Sequence, residues 1–76
     1  MPKYNYKLIS RVIDEYKDIT SIKINYHTCG YLQMIIFLSN RMWAKYMYAV
    51  LQNTPEAVEL ERIIEKCCKE RGIRCD

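Results

Sequence analysis

The side chains best suited to chemistry in this sequence are one histidine and four cysteines. His27 and Cys29 flank Thr28 just before Gly30, whereas Cys67, Cys68 and Cys75 gather near the far end of the chain. Thiolate and imidazole are zinc ligands, so a mixed site joining the two groups is the metal chemistry this set could supply. The spacing weighs against it. There is no C-x-x-C pair, and neighbours such as Cys67 and Cys68 diverge by about 100 degrees on a helix, which leaves one of them a poor co-ligand. The expectation is buried thiols that pack as small hydrophobes, with no metal and no cofactor. A disulfide is a separate option, for instance Cys75 returning to Cys68 across a turn at Gly72, although a reducing cytoplasm disfavours it.

Catalysis finds little to work with. A nucleophilic Cys29 activated by His27 would need a third group to orient the base, and an exposed hairpin turn offers no pocket around the pair. Asp14 and Glu15 are adjacent on a predicted helix and diverge, so they make no acid–base pair, and no glycine-rich phosphate loop occurs. The inventory predicts no catalytic residues and a protein that is not an enzyme, with a Cys29 nucleophile the weakest of the alternatives.

The elements that must position these groups can be read from hydrophobic periodicity. Between about residues 4 and 18, Leu8, Ile9, Val12, Ile13 and Tyr16 recur at helical intervals with Lys7, Arg11, Asp14 and Glu15 on the other side, and Asn5 is a candidate N-cap. From Thr20 the period becomes two, with Ile22, Ile24 and Tyr26 alternating with Lys23, Asn25 and His27. Gly30 supplies the turn of a hairpin spanning residues 20–38. A three-residue loop Thr28-Cys29-Gly30 sets His27 against Tyr31, Asn25 against Gln33, Ile24 against Met34 and Ile22 against Ile36, so like faces like. A two-residue Cys29-Gly30 loop would set Asn25 against Met34, and a one-residue slip turns every side chain over.

In the preferred register Leu32, Met34, Ile36 and Leu38 join the core face, and Tyr31, Ile35 and Phe37 are left on the opposite face beside Lys23 and Asn25. After Ser39 or Asn40 as cap, Trp43, Tyr46, Met47 and Val50 fit one face of a second helix, residues 40–52, with Met42 and Leu51 widening its apolar sector. Thr54-Pro55-Glu56 then opens a third, residues 55–71, with a capping hydroxyl, a proline at the first position and an acid near the positive end of the dipole. Gly72 ends it, and residues 72–76 form a tail in which Ile73 folds back or begins a short strand.

The chain has 76 residues, half of them hydrophobic and 28% charged. That composition excludes a disordered tail and fits one domain over residues 1–76, near the size at which a single core struggles against chain entropy. The fold class expected is α+β in the order α-β-β-α-α, an antiparallel hairpin packed against helices. Because a lone hairpin has two open edges, pairing with a second copy into a four-stranded sheet would bury the surplus apolar face, and a homodimer is the expected assembly.

The net charge of +3 is modest. Residues 1–53 carry all of the excess, the remainder being slightly acidic, and Lys3, Lys7, Arg11, Arg41 and Lys45 with neighbouring tyrosines form the alternative expectation, a nucleic-acid or nucleotide site. The favoured site is the stripe Tyr31, Ile35 and Phe37 with Trp43 and Lys23, because tyrosine, tryptophan and phenylalanine are enriched at protein interfaces. The sequence thus points to a small interaction protein that binds a protein partner stoichiometrically, as an inhibitor, adaptor or antagonist of the sort viruses and mobile elements encode. The longest apolar run, Met34 to Leu38, is far short of the roughly 20 residues of a membrane helix. No apolar leader region follows Met1. The expected compartment is the cytoplasm, that of the host if the gene is viral.

Overall fold

Two hairpin turns of one design shape the sheet. In the computed structural model, which describes residues 4–76, His27 N–H donates to Tyr31 O at 2.9 Å and Gly30 N–H to His27 O at 2.8 Å. Leu38 N–H likewise donates to Met42 O at 2.9 Å and Arg41 N–H to Leu38 O at 3.1 Å. Each three-residue loop ends in a left-handed residue, Gly30 at φ 95° and Arg41 at φ 68°. That conformation lets a type I turn close a hairpin, and glycine adopts it without steric cost whereas Arg41 must be held there by the strands on either side.

The elements are α1 (Tyr6–Asp14), β1 (Ile19–Tyr26), β2 (Tyr31–Leu38), β3 (Trp43–Leu51), α2 (Pro55–Arg71) and β4 (Arg74–Cys75). They make a small α+β fold, one sheet in the order β3-β2-β1-β4. Between β1 and β2 the partners are Ile22 with Ile36, Ile24 with Met34 and Asn25 with Gln33, the register that follows from a Thr28-Cys29-Gly30 loop. Asn5 caps α1, its side chain accepting from Leu8 N–H at 3.0 Å. Thr54 does the same for α2, and Gly72 closes that helix at φ 66°.

The expected order α-β-β-α-α needs correction, because residues 43–51 form a third strand where a helix over 40–52 was expected. Trp43, Tyr46, Met47 and Val50 satisfy a helical spacing, but the same segment also alternates. Tyr46, Tyr48 and Val50 turn toward the core while Trp43, Lys45, Met47 and Leu51 are exposed. A tryptophan, two tyrosines and a valine favour a strand. The outer edge of β2, lined with unpaired backbone groups, then decides the matter, because β3 pairs along it from Phe37–Trp43 to Tyr31–Leu51.

Two further expectations change with it. The first helix is shorter than residues 4–18. The tail resolves into β4, which lies parallel to β1 with Ile22 opposite Cys75. The chain itself therefore occupies both edges of the β1–β2 hairpin, with β3 on one and β4 on the other. A dimer made by pairing two bare hairpins is not how this sheet is completed.

Both helices lie on one face. Ile9 and Ile13 of α1 and Ala57, Leu60, Ile64, Cys67 and Cys68 of α2 pack with Ile22, Leu32, Met34, Ile36, Tyr48 and Val50 in one continuous core. Arg71 joins the helices, its guanidinium donating to Asp14 at 2.9 Å and to the Ser10 hydroxyl. That contact holds the Asp14 carboxyl below its usual range. No helix among the described residues is long and apolar enough to cross a membrane.

Tyr48 sits at the core margin, its ring edge-on to Tyr4 with centroids 4.9 Å apart. Its buried hydroxyl has no hydrogen-bond partner among the described residues. Burial, and secondarily Tyr4, push its pKa from 10.0 up to about 12. The unionised phenol is thus favoured in the folded state: its contribution is complete below pH 10 and is lost as the pH rises toward 12. Tyr48→Phe removes an unsatisfied polar atom, so it is expected to match or exceed the parent by about 1 kcal/mol at neutral pH. The variant should also hold its stability further into alkali. Urea midpoints of both proteins across the alkaline range check this.

Candidate functional site: the open face of the sheet

With α1 and α2 on one side, the other side of the sheet meets solvent. Alternation places Ser21, Lys23 and Asn25 of β1 there, with Tyr31, Gln33, Ile35 and Phe37 of β2 and Trp43, Lys45, Met47 and Leu51 of β3. All five residues expected to form the binding stripe, Tyr31, Ile35, Phe37, Trp43 and Lys23, come together on this face. Trp43 reaches it from a strand and not from a helix, directly opposite Phe37. It is 58% exposed.

Met47 and Leu51, 49% and 51% exposed, extend the apolar surface along β3. Sequence reasoning missed their role because it assigned them to the apolar sector of a helix. The signal that could have found them is the alternation of Tyr46, Tyr48 and Val50 with Lys45, Met47 and Ala49.

The centre of the face is polar beneath an apolar surround. Gln33 is only 4% exposed, flanked across the strands by Asn25 and Met47. The Asn25 side-chain oxygen is buried without a hydrogen-bond partner among the described residues. Lys45 leans over the Trp43 ring with its Nζ 5.6 Å from the centroid, which holds one cation at the rim. The charges are of one sign: β1 to β3 contain Lys23 and Lys45 and no carboxylate. Seven of the nine acids instead lie on α1, at its C-cap or on α2.

Among the described residues, no strand pairs with the outer edge of β3. Antiparallel ladders bond through every second residue on each side of a strand. Since Tyr31 bonds toward β1 and Leu38 toward β3, β2 turns its odd-numbered backbone groups to β1 and its even-numbered ones to β3. On β3 the groups of Trp43, Lys45 and Met47 then point away from the sheet. Ala49 N–H points the same way and is capped by the Tyr4 hydroxyl at 3.2 Å, which limits the open stretch to the part of β3 before it.

The alternative nucleic-acid set is not assembled. Lys7 and Arg11 project from α1 in the helical layer, Arg41 occupies the β2–β3 turn, Lys45 lies on the open face, and Lys3 lies outside the described residues. A groove of about 320 Å³ between the start of α1 and α2 is lined by Tyr4, Asn5, Tyr6, Glu59, Arg62, Ile63 and Lys66, on the helical layer of the molecule.

His27 and Cys29 do meet, Nδ1 to Sγ at 3.2 Å, on the exposed first turn. Cys29 N–H donates to the same Nδ1 at 3.2 Å, so the turn's own backbone engages the nitrogen that faces the thiol. Among the described residues no group of three or more His, Cys, Asp or Glu side chains is placed to hold a metal ion. Cys67 packs beside Arg71 and Asp14, whereas Cys68 meets Cys75, as expected for neighbours that diverge around a helix. Comparison with protein-family models, with curated proteins and with solved structures finds no match to this chain.

Proposed function

We propose that this chain is a non-catalytic interaction protein that binds a protein partner on the open face of its sheet and acts by stoichiometric occupancy, as an inhibitor, adaptor or antagonist. One observation carries the reading: Tyr31, Phe37, Trp43, Met47 and Leu51 share a face with Lys23 and Lys45 and with no carboxylate from β1 to β3. Aromatic and methionine anchors around a desolvated centre are what protein interfaces select, and a cation at the rim steers an acidic partner. The partner is therefore read as a surface with apolar side chains at its centre and Asp or Glu around it.

A second copy fits this face less well, because stacking it on itself sets Lys23 and Lys45 against their own kind. Single-stranded nucleic acid fits less well too. Ile35, Gln33 and Met47 fill the middle of the face where bases would stack, and the basic side chains are divided between the two layers. A cytoplasmic site of action, in a host cell if the source is a virus or mobile element, goes with this reading.

The test compares the parent with the double variant Trp43→Asp, Met47→Asp. Both positions are exposed, so helical circular dichroism is expected to be unchanged. The protein captured from source cells is identified, purified and titrated. Affinity is expected to fall by about 100-fold or more, the loss that accompanies removal of a central anchor. Equal affinity of parent and variant overturns the proposal. Steeply salt-dependent binding to single-stranded DNA or RNA that the same variant abolishes would replace it with the nucleic-acid reading. A doubled molar mass that the variant halves would replace it with self-association.

A further inference from the structure

Cys68 and Cys75 are seven positions apart, from the end of α2 to β4, and the fold turns them toward each other. The end of α2 makes a left-handed turn at Gly72, where Ile73 N–H donates back to Cys68 O at 2.9 Å. The chain reverses there, and β4 is clamped to β1 by Asp76 N–H to Ile22 O at 2.8 Å and Ile24 N–H to Asp76 O at 3.1 Å. In this parallel register Cys75 lies beside Ile22, whose side chain is fully buried under the helices, so the Cys75 thiol is directed at α2. Cys68, 1% exposed, belongs to the core cluster against which Cys75 packs, and each thiol is among the groups that shift the other's pKa. Cys67 is turned away toward Arg71 and Asp14, and Cys29 is exposed on the distant β1–β2 turn.

We propose that Cys68 and Cys75 are a covalent modification site, a dithiol that closes to a disulfide and staples β4 and the sheet edge to the end of α2. The proposal is independent of what the open face binds. The chemistry needs a two-electron oxidant, for which a low-molecular-weight disulfide such as oxidised glutathione serves. The Cys75 thiolate, the more accessible of the pair, attacks one sulfur of that disulfide and expels one glutathione thiolate. Cys68, deprotonated, then attacks the Cys75 sulfur and expels the second. The two protein thiol protons end on the two glutathione thiols, so the protein loses two hydrogens and the reagent gains them. Burial raises both thiols, Cys68 to about 12, so closure is expected to speed up as the pH rises.

The folded protein is incubated with oxidised glutathione at mildly alkaline pH, alkylated in denaturant and weighed intact. Expected in the parent, in Cys29→Ser and in Cys67→Ser is a loss of two hydrogen atoms with two thiols fewer to alkylate. In Cys75→Ser that loss should be absent. The oxidised parent should melt roughly 10 °C higher than the reduced form, and added reductant should reverse the shift. Four alkylatable thiols remaining in the treated parent would overturn the proposal. So would an internal crosslink that persists in Cys75→Ser or disappears in Cys67→Ser, or a glutathione adduct that never resolves.

Discussion

Truncating Ile36 to alanine is expected to lower folding stability by about 2–5 kcal/mol. Ile36 is fully buried on β2, the strand that pairs with both β1 and β3, and lies between Ile22 and Ala44. Alanine is already its neighbour on one side, so no large side chain stands there to lean into the space. The backbone on both flanks is tied into ladders, so the sheet cannot readily collapse around the cavity. A domain of 76 residues has about 4–11 kcal/mol in total. The loss is thus a large share of the whole, and urea denaturation followed by circular dichroism should show the midpoint moving sharply down. Substitution of exposed Met47 by alanine, a change of similar size on the same sheet, should leave the midpoint nearly in place.

The second large effect distinguishes a strand from a helix at residues 43–51. Ala44→Pro is expected to cost about 3 kcal/mol or more, because Ala44 lies opposite Ile36 on the side of β3 that bonds to β2, and proline has no N–H to give. Lys45→Pro should cost much less. Its N–H points off the sheet edge, where proline is tolerated. In a helix two adjacent interior positions would each lose a bond to the preceding turn, and the two substitutions would be similarly harmful. Comparing the two denaturation midpoints decides between these outcomes, and equal losses would count against the edge strand.

The difference between those segments explains how much of the molecule is legible in its sequence. The hairpin at residues 20–38 is specified locally. Gly30 permits the left-handed turn residue, and the loop length then determines every cross-strand pair, because a slip would expose Ile22, Ile24, Met34 and Ile36 together. The ends of α2 are likewise local: Thr54 and Pro55 start it, and Gly72 stops it. The first helix shows the limit. Its capping residue was legible but its end was not, since Lys17 and Asp18 continue a helical pattern that the chain abandons to enter β1.

The candidate site divides in the same way. Tyr31, Ile35, Phe37 and Lys23 follow from the hairpin register, so their common face could be named without coordinates. Met47 and Leu51 could not, nor could Gln33 as a buried amide at the centre. Their positions depend on β3 being a strand, and Trp43, Tyr46, Met47 and Val50 suit a helix as well as alternation suits a strand.

The sequence by itself determined the hairpin, its register and the ends of the last helix, because in each case a turn residue and its near neighbours suffice. The tertiary structure alone decided that residues 43–51 extend the sheet, that residues 74–75 close its other edge against α2, and that both helices take the same side. The physical reason is that an unpaired β2 edge and an uncovered Ile22–Met34–Ile36 surface are costs borne by the assembled sheet. Segments outside the first hairpin removed them, β3 by folding back along β2 and the two helices by covering the apolar surface, and in doing so they left Tyr31, Phe37, Trp43 and Met47 facing water.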